Sequence, residues 1–180
     1  MIRVIGGVYK GKKLSRVPCR DVRSMPDKLK EALFNIIHSG VKNRRFLDGF
    51  AGTGSVGIEA ISRGAEFIVF IDELYAAVKV IKANLFKCGI EDKAHIIQKE
   101  FNRAVIQLSK EKMEFDLIFL DPPYALLNER NPLKVIKKRG ILEEEGVIII
   151  RHHFKTKFVA KEFDLKRQKT IGDDTLSFYQ

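Results

Sequence analysis

The stretch Phe119-Leu120-Asp121-Pro122-Pro123-Tyr124 sets a carboxylate, two residues without a backbone donor and an aromatic ring side by side. The apolar run from Phe115 to Leu120 reads as a buried strand that stops at Asp121, because two prolines remove two N–H donors and fix two φ angles. Beyond the strand the chain must make a stiff turn. Its carboxylate and carbonyls can accept two N–H bonds while the ring of Tyr124 stacks on a flat partner. Such a set suits a planar ligand bearing an NH₂ group, with Asp121, Pro122 and Tyr124 as the candidate catalytic residues. The plainer alternative is a turn with Asp121 as its polar residue and Tyr124 as a core anchor.

A second constellation runs Leu47-Asp48-Gly49-Phe50-Ala51-Gly52-Thr53-Gly54-Ser55-Val56-Gly57, between a strand and a helix. Glycines there allow a sharp turn and close approach of a ligand to the backbone. Gly52, Gly54 and Gly57 spell G-x-G-x-x-G, and Asp72 lies twenty residues beyond Gly52, where it can accept both hydroxyls of a ribose. A nicotinamide dinucleotide is therefore one reading. Asp48 opposes it, since a pyrophosphate needs free N–H groups and a helix dipole rather than a carboxylate ahead of the glycines. S-adenosylmethionine, cationic at its sulfonium and α-amino group, suits an acidic crevice better. Glu100 and Phe101, at the end of a third strand, could accept an adenine amino hydrogen and flank the base; the alternative for Glu100 is an ordinary helix-capping acid.

These residues need strands to end on and helices to follow. From Arg45 onward the pattern alternates: strands at 46–49, 67–71, 95–98, 115–120 and 146–150, with helices through Ile58–Gly64, Leu74–Leu85, Phe101–Ser109 and Pro132–Lys138 between them. Lys166–Ile171 and Thr175–Tyr179, separated by Gly172-Asp173-Asp174, read as a closing hairpin. The expectation is an α/β, doubly wound, Rossmann-like sheet, mostly parallel, with one antiparallel edge hairpin. Upstream, Ser24-Met25-Pro26-Asp27 has capping-box spacing, and Leu29, Ala32, Leu33, Ile36 and Ile37 would form the inward face of a helix ending at Gly40.

Charge divides the chain. The net charge is +10, and residues 1–45 hold twelve Lys/Arg against Asp21, Asp27 and Glu31, while the remainder is close to neutral. A basic front end on a neutral body points to a polyanion, with Arg3, Lys10, Lys12, Lys13 and Arg23 as candidate RNA contacts. Residues 2–17, with turn glycines between short apolar runs, read as a small basic β-hairpin arm. The chain is thus divided into residues 1–23, the arm, and 24–180, the body. No apolar stretch approaches a membrane span and no signal peptide is read at the N-terminus, so a cytoplasmic protein is expected. The four histidines and two cysteines show no metal spacing, and no metal is expected. Pro18-Cys19 lies ahead of the glycine loop, the wrong order for a Pro-Cys nucleophile.

In their order along the chain, Asp48–Gly57, Asp72, Glu100 and Asp121-Pro122-Pro123-Tyr124 resemble the class I S-adenosylmethionine-dependent amino-methyltransferases. Arg3-Val4-Ile5-Gly6-Gly7, the segment Lys10–Leu14, Arg23, the segment Glu31–Asn35 and the stretch 47–65 are more narrowly similar to the bacterial RsmD family, over nearly the whole chain. The resemblance implies methylation of the exocyclic N2 amino group of a guanine in small-subunit (16S) ribosomal RNA. The residues alone leave guanine and adenine equally open. It further implies that Asp48 and the loop Gly52-Thr53-Gly54 hold the methionine moiety, Asp72 the ribose, Glu100 and Phe101 the adenine, and Asp121, Pro122 and Tyr124 the target base. Ribosomal RNA within an assembled small subunit is the implied partner, and a monomer is expected. The chain departs from the family at Arg23-Ser24-Met25, where Arg-Pro-Thr is usual, and at Arg151, near which an acid is common.

Overall fold

A computed structural model of the chain describes residues 2–18, 24–156, 158 and 160–180, with the side chains of residues 124, 125 and 128 outside the description. In chain order the elements are β1 (Ile2–Arg3), β2 (Lys13–Leu14), α1 (Asp27–Ile37), β3 (Arg45–Gly49), α2 (Ser55–Ser62), β4 (Phe67–Asp72), α3 (Tyr75–Cys88), β5 (Ala94–Gln98), α4 (Phe101–Lys110), β6 (Phe115–Leu120), α5 (Tyr124–Glu129), α6 (Pro132–Arg139), β7 (Leu142–His153), β8 (Leu165–Ile171) and β9 (Asp174–Tyr179). Strands β3 to β9 form one sheet in the order β5-β4-β3-β6-β7-β9-β8. Strands β3 to β7 are parallel to one another, β9 pairs antiparallel with β7, and β8 pairs antiparallel with β9 to close the edge as a hairpin.

Strands covered on both faces need apolar residues at nearly every position, and β4 and β6 have them. Alternate side chains go to opposite layers. Phe46, Ile68 and Phe70 pack with α2, α3 and the N-terminal segment, while Leu47, Val69 and Ile71 pack with α4 and α6.

Local details depart from expectation. The capping box does not form: Pro26 is extended (ψ 145), no side chain caps α1, and the helix starts at Asp27. The Pro26 carbonyl accepts from Lys30 N–H instead, so the helix begins after the proline rather than around it. Leu29 and Leu33 of the expected face are buried, with Ile36 and Ile37 partly buried against the same core, but Lys30 and Phe34 are buried beside them, and the α-helix gives way at His38 to a 3₁₀ turn, His38–Val41. Downstream, β7 runs on through Arg151 to His153 because β9 pairs with it that far, and a short helix, α5, starts directly after Pro123.

Lys30 explains how the N-terminal segment is held. Its ammonium donates to the Arg3 carbonyl at 2.7 Å and lies 3.6 Å from Glu59, and both side chains are fully buried. Burial lowers the Lys30 pKa, against the opposing pull of Glu59 and Asp27. Glu59 also accepts from Ile5 N–H at 2.7 Å and from Arg63 Nε at 2.8 Å. Ser62 adds a second clasp, accepting from Tyr9 N–H and donating to the Gly6 carbonyl. Ile2, Val4, Leu14 and Val17 are buried. The described part of the segment 1–23 is therefore a basic surface laid over shared core, and its separateness from 24–180 is one of charge rather than packing.

Candidate active-site cleft

Connections reverse direction between β3 and β6, which leaves a crevice at the carboxyl ends of the strands, where open α/β sheets take their ligands. A cleft of about 1140 Å³ occupies it. Asp48, Gly52, Thr53, Asp72, Glu100, Phe101, Asp121 and Pro122, scattered over 75 positions of sequence, all line this one space.

The glycine loop is built for tight passage. Gly54 stands at the N-cap of α2 with φ 72, a conformation that costs other residues energy. A Cβ at Gly57 would fall 2.3 Å from Cε1 of Phe70, so only glycine lets α2 lie this close to β4. The loop's donors are already engaged. Gly52 N–H donates to Asp72 Oδ2 at 2.8 Å, Gly54 N–H to the Ala51 carbonyl at 2.8 Å, and Gly57 N–H to Asp48 Oδ2 at 2.8 Å. The amides of Gly52, Gly54 and Gly57 are thus bonded within the protein, two of them to carboxylates, and are not free for a pyrophosphate.

Those carboxylates are crowded. Burial holds the Asp48 carboxyl well above the ordinary range; the Gly57 N–H partly offsets this, and the neighbouring Asp121 and Asp72 push it further up. Burial also raises Asp72, against the N–H groups of Leu74 and Gly52. A cation arriving here would favour ionisation of all three, whereas an anion would add to the repulsion.

Asp121 has one partner of its own. Its Oδ2 accepts from Arg151 Nη1 at 2.8 Å, and Arg151 is held in turn by Asp174, through Nε at 3.0 Å and Nη2 at 3.3 Å. Burial pushes Asp121 up to about 6 even with the guanidinium pulling it down. Arg151 is itself raised, since the carboxylates of Asp121 and Asp174 outweigh its desolvation. Pro122 is buried beside Asp121. Tyr124 is the first residue of α5, and its side chain lies outside the described residues.

Phe101 lines the cleft from deep in its wall. It is only 2% exposed, packed in the core beneath Gly49 and Leu120. Phe50 covers it, ring centroids 5.0 Å apart and 20° between planes. The half-buried Phe50, held at φ 62, is the more exposed of the two stacked rings that line the cleft. Glu100 does cap α4, accepting from Arg103 N–H at 3.1 Å, but its other oxygen lies 3.3 Å from Arg130 at the cleft wall.

Of the candidate RNA contacts, Arg3, Lys10, Lys12 and Lys13 do not line the cleft. Lys10, Lys12 and Lys13 are exposed, and Arg3 is exposed with its Nε 3.0 Å from Asp27. Arg23 lies outside the described residues. Arg16, which the sequence pattern does not single out, is exposed on the cleft's rim. Arg151 gains its place at the site only from the fold, although a lone cation after Val147–Ile150, at the same strand end as three acids, is a readable signal. Among the described residues no group of three His, Cys, Asp or Glu could hold a metal ion.

A family model described as Conserved hypothetical protein 95 matches residues 2–180. YlbH of Bacillus subtilis is 35% identical over 181 residues, covering 99% of this chain and 98% of its own. A Haemophilus influenzae protein named Ribosomal RNA small subunit methyltransferase D is 29% identical over 182 residues, covering 99% of this chain and 93% of its own. The solved structure of YhhF from Escherichia coli is similar with a TM-score of 0.86 at 26% identity, covering 99% of this chain and 97% of that one.

Proposed function

The chain belongs to the family described as Conserved hypothetical protein 95, and from that premise we propose that it transfers a methyl group from S-adenosylmethionine to the exocyclic N2 amino group of a guanine in small-subunit (16S) ribosomal RNA. One observation carries the choice of cofactor. The amides of Gly52, Gly54 and Gly57 are occupied, and Asp48, Asp72 and Asp121 converge on the same crevice. That arrangement favours a cationic ligand without phosphate and disfavours a nicotinamide dinucleotide. The name of the Haemophilus relative supports ribosomal RNA as the acceptor. Guanine N2, rather than the amino group of adenine, rests on the family resemblance.

When bound, S-adenosylmethionine supplies an electrophilic methyl group on a sulfonium that leaves as a neutral thioether. The chain's part is positioning. Asp48 and the Gly52–Gly54 loop hold the cationic end, Asp72 accepts ribose hydroxyls, and Phe50 with Phe101 behind it offers the base a wall. Asp121 and the Pro122 carbonyl accept the two N–H bonds of the target amine, whose lone pair is otherwise delocalised into the ring, and so turn it toward the methyl group. Arg151 fixes the carboxylate that does this. Such alignment supplies most of the rate in an in-line displacement. We place the reaction in the cytoplasm, on an assembled small subunit, by a monomer; among the described residues no helix is long and apolar enough to cross a membrane.

The test supplies methyl-labelled S-adenosylmethionine with naked 16S RNA, and separately with small subunits lacking the modification, then maps the label by mass spectrometry. Label in a single N2-methylguanosine is expected. Label in adenine would transfer the reading to adenine amino groups, and tight NADH binding without methyl transfer would replace it with an oxidoreductase.

A further inference from the structure

Helix α3 has an outward face unlike the other helices. Tyr75, Lys79, Lys82 and Phe86 follow one another at helical spacing, so they form one stripe, about 16 Å long at 1.5 Å per residue. All four are exposed, and the two rings are open to the extent of 65% and 76%, an unusual amount of uncovered aromatic surface. Lys79 Nζ stands 5.7 Å from the Tyr75 ring centroid, which puts a cation beside a stacking face. The helix carries Lys79, Lys82 and Lys87 and no acid.

The ends of the stripe are equally informative. Leu74, the N-cap of α3, lines the candidate active-site cleft beside Asp72 and Glu73. At the other end Lys87 Nζ donates to Ser15 Oγ at 2.6 Å, joining the helix to the basic N-terminal segment. Open rings and unopposed lysines therefore run from the cleft mouth to the basic segment. A polyanion that also carries flat apolar faces complements this surface, and single-stranded nucleic acid has both. An acidic protein surface would use the lysines but leave the rings wet.

We propose that this face of α3 is a docking track for single-stranded RNA flanking the methylated nucleotide, with Tyr75 and Phe86 as stacking platforms and Lys79 and Lys82 against phosphates. The inference rests on RNA being the substrate, and it names a surface for that substrate outside the cleft and the N-terminal segment.

Two double variants test it, Tyr75→Ala with Phe86→Ala and Lys79→Ala with Lys82→Ala, using a 16S RNA transcript and a single-stranded oligouridine as probes at several salt concentrations. Loss of both rings should weaken binding at least about tenfold with the salt slope unchanged, since each stacked base contributes sequence-independent affinity. Loss of both lysines should flatten log K against log salt by about 1.4 to 1.8. Tyr75→Phe with Phe86→Tyr, which keeps two rings, should bind as wild type does. Binding of S-adenosylmethionine and thermal melting should stay unchanged in every variant. If wild type binds RNA with a steep salt slope and both Ala variants match it, the track is refuted and the substrate reading stands. If wild type binds neither probe nor unmodified small subunits, the substrate reading fails first and the track with it. A wild-type dimer that the ring variant dissociates would assign the face to a second copy of the chain and overturn the proposal.

Discussion

Arg151 and Asp121, the first on β7 and the second just past the end of β6, meet at 2.8 Å across neighbouring strands, and Asp174 of β9 holds the far side of the same guanidinium. The pair decides the charge state of the group that must accept the amine's N–H. Asp121 sits at about 6, above the ordinary aspartate value, so the accepting form is lost as pH falls through about 6 rather than about 4. The single-turnover rate should therefore fall on the acid side with a limb near that value. Arg151→Gln should move the limb to higher pH, because a group that lowers the Asp121 pKa is gone. Asp121→Asn keeps one acceptor and should retain measurable turnover, whereas Asp121→Ala should lose at least ~100-fold. A rate flat to pH 4, or equal losses for Asn and Ala, would remove Asp121 from this role.

Cofactor binding should release protons. Asp48 and Asp72 are both raised in the free protein, principally by burial, and a neighbouring cation favours their ionised forms. Affinity for S-adenosylmethionine should therefore increase with pH until these groups are ionised without it. Calorimetry in buffers of different ionisation enthalpy measures the protons directly, and Asp48→Asn should reduce their number. Proton uptake on binding would contradict the acidic-crevice reading.

Lys10, Lys12 and Lys13 are exposed, so replacing all three with alanine should leave thermal stability within about 0.5 kcal/mol of wild type. The salt slope of RNA binding should drop by about two to three units, at roughly 0.7 to 0.9 for each phosphate no longer neutralised. An unchanged slope would place RNA elsewhere on the molecule. Removing the whole segment is a poorer experiment, because Ile2, Val4, Leu14 and Val17 belong to the interior.

Asn84 joins the two halves of the proposed machinery. Its Oδ1 accepts from Ser15 N–H at 2.7 Å, and its Nδ2 donates to the carbonyls of Ser15 and Thr53 at 3.2 and 3.0 Å. Asn84→Ala strands buried partners and should destabilise the protein by about 1–3 kcal/mol. More diagnostically, it should weaken S-adenosylmethionine and RNA binding together, where the triple lysine variant weakens RNA alone. A variant that melts early but binds the cofactor normally would show that the Thr53 loop holds its shape unaided.

The alternation of strands and helices was legible because strands buried on both faces must be apolar nearly throughout, as 67–71 is and as 115–120 is apart from Asp116. The acids at strand ends were legible for a related reason: a carboxylate closing an apolar run needs a cause. Less could be read where tertiary partners overrule local pattern. Lys30 enters the core only because Glu59 and the Arg3 carbonyl wait there, and no local pattern announces a partner 27 or 29 positions away. Phe50 joins Phe101 at the cleft because the loop folds over α4 and stacks the two rings, which spacing does not encode. Arg151 needed only a look at what else ends on that edge of the sheet.

The clasp on the N-terminal segment also fixes when that segment can settle. Ile5 finds its acceptor on Glu59, 54 residues later, and Ser15 finds its own on Asn84, 69 residues later. At synthesis rates of about 5–20 residues per second, Asn84 emerges on the order of 3–14 s after Ser15. Until Glu59 and Ser62 emerge the most basic part of the chain has none of its side-chain anchors from α2, until Asn84 emerges it lacks its anchor there on α3, and it spends the wait beside the RNA-rich machine that is making it. Pulse-labelled hydrogen exchange during refolding should accordingly find the Ile5 and Ser15 amides protected no earlier than the central strands β3, β4 and β6.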